Sequence, residues 1–118
     1  MMVSSTADTV TLALAEQLRL FTWLQSVERH LMLWDGGTHF SAIHNAQAGE
    51  EAIPLSGAVI GPYPELAQRY LRIMGLAFFQ THLAGDESYR QYLDPTFANV
   101  LSQSDMTLSL VQELMLAE

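Results

Sequence analysis

At 118 residues, with 49% hydrophobic and 15% charged residues, the chain has the composition of one globular domain or part of one, and intrinsic disorder is excluded. Its formal charge is −8, it has no lysine, and its five arginines (Arg19, Arg29, Arg69, Arg72 and Arg90) are scattered, so nucleic acid is not an expected partner. Cysteine is absent, which excludes a disulfide framework, a thiol nucleophile and a thiolate metal site. No basic residue precedes Arg19 and no long apolar core follows the start, so no secretory signal is read and a cytoplasmic location is expected. The longest uncharged runs, 52–64 and 73–85, fall short of the ~20 apolar residues of a membrane span.

In chain order, the opening residues 1–8 suggest the tail of a strand ending at Asp8. Residues 11–25, "TLALAEQLRLFTWLQ", put Leu14, Leu18 and Phe21 at i, i+4 and i+7, which predicts an amphipathic helix. "RHLMLWD" (29–35) is continuously apolar and closed by Gly36 and Gly37, the pattern of a strand buried on both faces of a parallel sheet. Residues 45–63 hold Gly49, Pro54, Gly57, Gly61 and Pro62, and predict a long loop with at most one turn of structure.

A helical region, 64–118, follows. Pro64 opens a helix to about residue 84 with the stripe Leu66, Tyr70, Ile73, Met74, Ala77 and Phe78, and Gly85 ends it. Close helix–sheet contact is the expected reason for Gly75. Asp86 caps a short helix through Leu93, and Asp94-Pro95 opens another over 95–103. The tail 106–116 alternates at Met106, Leu108 and Leu110 but then spaces Val111, Leu114 and Met115 helically, and is read as helix. Trp23, Trp34, Phe78 and Phe79 are expected in the core, and His30 and His82 as packing or surface residues.

The stretch "DGGTHFSAIH" (35–44) carries the chemistry. A histidine just beyond the end of a parallel strand lies where open α/β sheets bind ligands. Gly36 and Gly37 permit a tight exit from the strand and leave room beside the imidazole. Asp8 would stand at the equivalent place after the neighbouring strand, where it can orient His39 and stabilise its imidazolium. His44 pairs with His39, Asp35 or Glu50 in no known ligand spacing, so no metal site is expected.

The order acid, helix, strand, histidine in "ADTVTLALAEQLRLFTWLQ" and "RHLMLWDGGTHFS", with the later "YLRIMGLAFFQTHL" helix, resembles the C-terminal portion of an α/β-hydrolase. The likeness is to bacterial, especially cyanobacterial, proteins of the dienelactone-hydrolase or platelet-activating-factor-acetylhydrolase-like kind, and it covers residues 4 to 116. It implies an α/β fold with two parallel strands and a helical C-terminal region, residues 1–44 being the last βαβ unit of a single partial domain, 1–118. It further implies that Asp8 is the triad acid and His39 the triad histidine. Trp34 and Phe40 would line a pocket for a carboxylic ester or lactone, bordered by the loop 40–63, with no cofactor.

Leu12 stands where such proteins often have Pro. The larger departure is that no G-x-S-x-G occurs: Ser56 lies between Leu55 and Gly57, with Pro54 and Ala58 at the outer positions, and Ser41 has no flanking glycine. The upstream strands that supply oxyanion-hole amides are missing too. The chain alone is therefore expected to be inactive, and a two-strand remnant is expected to self-associate through its sheet edge. The alternatives are a non-catalytic helical protein-interaction module, or a chain whose true start lies upstream of Met1.

Overall fold

The computed structural model describes residues 1–42 and 56–114. Its centre is a three-stranded sheet in the order β1 (Met2–Ser5), β2 (Glu28–Trp34), β3 (Leu108–Leu114). β1 runs parallel to β2, with Met2 opposite Leu31 and Ser5 opposite Trp34. β3 runs antiparallel along the other side of β2, from Trp34↔Leu108 to Glu28↔Leu114. The sheet is thus mixed, and β2 is its middle strand.

β3 corrects the reading of the tail as helix. Met106, Leu108 and Leu110 are buried while Thr107, Ser109 and Val111 are exposed, the period-two alternation of a strand with one covered face. The helical spacing of Val111 and Leu114 carried no burial, since both are exposed. Met115 lies outside the described residues. β3 also gives β2 a neighbour on the side that a two-strand sheet would have left open.

The continuous hydrophobicity of β2 has the expected cause, burial on both faces. Met32 and Trp34 join Ala67, Tyr70, Met74 and Ala77 of α3 (Pro64–His82), with Leu108 and Leu110 of β3, in one core cluster. Arg29 and Leu31 point the opposite way, and the Arg29 guanidinium donates to the carbonyls of Phe21, Thr22 and Leu24 in the crossover. A 3₁₀ segment (Glu87–Leu93) capped by Asp86, and α4 (Pro95–Leu101) capped by Asp94, close the helical side as the sequence predicts.

The crossover departs from its prediction. Ala13–Leu18 winds as a π-helix before α1 (Arg19–Phe21). A π turn takes more residues than an α turn, so i, i+4 and i+7 no longer align. Phe21 is buried accordingly, but Leu14 is 74% exposed. Trp23 and Phe79 are also not core, being 63% and 57% exposed. Gly75 is buried, yet an added Cβ there would meet nothing within 4 Å, so close helix–sheet contact does not explain it. Of the predicted loop 45–63, residues 45–55 lie outside the described part; the remainder contains one turn of helix, α2 (Gly57–Ile60).

Candidate acid–histidine site

β1 and β2 end side by side, and their exits are tied together. The Thr6 N–H donates to Trp34 O, the Ala7 N–H to Gly37 O, and the Gly36 N–H to Thr6 Oγ1, whose own proton goes to Asp35 Oδ1 at 2.6 Å. Gly36 has φ 78°, a conformation glycine adopts without strain. Gly37 is needed for another reason than the one expected. A Cβ on it would collide with the Trp34 indole, so the room is for that ring and not for the imidazole.

Asp8 follows β1 and is buried. Its Oδ1 accepts the backbone N–H groups of Val10 and Thr11, both at 2.9 Å, capping the start of the crossover. Its Oδ2 accepts the Thr11 hydroxyl at 2.8 Å and faces His39 Nδ1 at 3.0 Å. Gln17 Nε2 donates to Thr11 Oγ1 at 2.5 Å and lies 3.4 Å from Oδ2. Burial alone would raise the carboxyl, but the Thr11 backbone and hydroxyl, His39 and the Val10 N–H outweigh it and bring it from 3.8 to about 2. Asp8 is therefore a carboxylate under all ordinary conditions.

His39 is placed by the turn "GTHFS". The Thr38 N–H donates to Ser41 Oγ at 2.8 Å, and Ser41 Oγ donates to Ile60 O at 2.7 Å. Thr38 Oγ1 shares its proton between the carbonyls of Val59 and Ile60. The end of α2 thus clamps the turn, and Gly61 is required there because its Cβ would come within 2.6 Å of the Thr38 methyl. Phe40 packs edge-on against the His39 ring, centroids 5.1 Å apart.

The two residues separated by 31 positions are in contact as the sequence reading required. With Asp8 ionised, Nδ1 carries the proton that Oδ2 accepts, which leaves Nε2 as a base. Among the described residues no hydrogen bond engages Nε2. A cleft of about 200 Å³ is lined by Asp8, Gln17, Trp34, Thr38, His39 and Leu71, with β1 residues behind. Trp34 lies on it, whereas Phe40 supports the imidazole from outside it. Trp34 Nε1 and Ser4 Oγ are buried beside it without partners among the described residues. His44 and Glu50 lie outside the described residues.

Sequence reasoning missed Thr11, Gln17 and the Thr38–Ser41 clamp. The spacing of Asp8 and Thr11, i and i+3 at a segment start, was the available signal. Compared with known proteins, the chain matches no family model, no curated protein and no solved structure.

Proposed function

We propose that this chain supplies the acid and base of a serine-hydrolase-type site for carboxylic esters or lactones, as the C-terminal part of that catalytic unit. The observation that carries the reading is the 3.0 Å contact of Asp8 Oδ2 with His39 Nδ1 beyond the ends of two adjacent parallel strands, on the wall of a cleft. Asp8 orients the imidazole by accepting from Nδ1. His39 Nε2 takes the proton of a serine hydroxyl as its oxygen attacks the ester carbonyl, then returns that proton to the departing alcohol.

The serine must come from a preceding segment or a second polypeptide. Ser4 and Ser5 line the cleft, but both are buried within β1 and lack a nucleophile elbow. The chain by itself therefore fails to cleave p-nitrophenyl esters and takes up no fluorophosphonate probe.

The decisive experiment expresses the chain together with the reading frame that precedes it and treats the product with a fluorophosphonate. Labelling of a G-x-S-x-G serine that falls at least about a hundredfold with His39→Ala, and strongly with Asp8→Asn, supports the reading. Labelling indifferent to both substitutions, or no such serine, ends it. Labelling of Ser4 or Ser5 in the chain alone overturns the predicted inactivity.

A further inference from the structure

The opposite end of β2 holds a second carboxylate–imidazole cluster. Glu28 and His30, two apart on a strand, share one face, and His82 is the last residue of α3. One ligand atom from each lies within 4.8 Å of the others. His30 Nε2 is 3.3 Å from Glu28 Oε1, and His82 Nε2 is 3.9 Å from Glu28 Oε2.

We propose that Glu28, His30 and His82 bind a divalent transition-metal cation of the zinc type. The strongest support is His30 itself, which is fully buried and has, among the described residues, no hydrogen-bond partner on either ring nitrogen. A buried imidazole in that state is a standing cost, and a metal bond to Nε2 relieves it at that nitrogen. Zinc held at 2.0–2.1 Å in a tetrahedron separates its donors by about 3.4 Å. The Glu28–His30 pair already has that spacing. His82 must close in, and it stands at a helix end with its side chain 27% exposed, where a rotamer change is open to it.

Charge and surroundings agree. Arg90 Nη1 takes Glu28 Oε2 at 2.6 Å, which leaves Oε1 turned to His30. The same guanidinium also binds Glu87, so two carboxylates share one cation and a net negative charge remains for the metal. Gln112 Nε2, 3.3 Å from Oε1, completes an outer layer that orients the carboxylate. Two imidazoles and one carboxylate, with no thiolate in the chain, form a donor set suited to zinc, and three protein donors leave a fourth position for water.

The test is calorimetric titration of the untagged, chelator-stripped chain with Zn²⁺, alongside long-range ¹H–¹⁵N spectra of the histidine rings. One saturable site of micromolar affinity or tighter is expected, with Nε2 of His30 and His82 shifting on binding. His82→Ala, chosen because that side chain is partly exposed and its loss leaves the core intact, should weaken binding at least about tenfold with an unchanged circular dichroism spectrum. No saturable binding up to about 1 mM Zn²⁺, unchanged affinity in His82→Ala, or ring shifts confined to His39 or His44 would each overturn the proposal.

Discussion

The two ends of β2 each bring an imidazole to a carboxylate, yet they are built on opposite terms. Beyond its C-terminal end, Asp8 is saturated with donors, His39 is fixed by a clamped turn, and neither Gly37 nor Gly61 has room for a methyl group. At its N-terminal end, His30 is buried 3.3 Å from Glu28 with both nitrogens unpartnered among the described residues. Satisfied buried polar groups rigidify a structure, whereas unsatisfied ones are a standing cost that a ligand can relieve. The contrast teaches that the Asp8–His39 pair is held in place by contacts of its own, whereas the Glu28–His30 pair leaves a buried imidazole for something added to satisfy.

Breaking the saturated end has the largest expected effect. Asp8→Ala removes a cap and a charge-assisted network together, and should destabilise the fold by about 3 kcal/mol in chemical denaturation. Acid should act on the same group. Because the folded carboxyl lies at about 2 against an ordinary 3.8, its contribution is fully present above about pH 4 and disappears as pH falls towards 2. That contribution is roughly 2 kcal/mol, so the gap in stability between wild type and Asp8→Asn should narrow by about that amount over this window. A constant gap would show that the hydrogen bonds to Asp8 do not favour its charged form.

Two glycines sharpen the comparison at matched chemistry. Gly37→Ala drives a methyl into the Trp34 indole beside the site and should cost about 2 kcal/mol, with the His39 ring signals displaced. Gly75→Ala fills space that no described residue occupies, gains helix propensity, and should stabilise by up to about 1 kcal/mol. Thermal unfolding of both variants reads the signs directly. The same sign for both would show that the space found around the two glycines does not decide the outcome.

What the sequence disclosed follows the same division. β2 was legible because an apolar run closed by two glycines fixed where His39 left its strand, and Asp8 was placed beside it from its position before the crossover segment, one crossover upstream. α3 and the Asp94 cap were legible for the same kind of reason. β3 was not, because five residues of alternation ran into a helical spacing, and only pairing with β2 decides between them. The π winding that exposes Leu14 is tied to Gln17 reaching Thr11 and Asp8, contacts between side chains that no periodicity encodes. Glu28 and His30 could have been noticed as i, i+2 on one strand face. His82 could not, since its arrival depends on how α3 lies across the sheet.

The unsatisfied end yields the smallest effect and the most specific one. His30→Leu substitutes a side chain of similar volume, gives up an edge contact with the Phe78 ring, and removes two orphaned nitrogens. Glu28 keeps its partner Arg90 in the variant, so no charge is stranded. In metal-free buffer the variant should therefore be more stable than the parent by about 1 kcal/mol. Zinc should reverse the order, because a cation present at a hundredfold excess over its dissociation constant and bound only by the native parent adds about 2.7 kcal/mol. Denaturation curves of both proteins with and without Zn²⁺ separate the alternatives: a variant less stable in both buffers means that the His30 ring is satisfied by contacts of its own, and a variant more stable in both means that its cost is never relieved by metal.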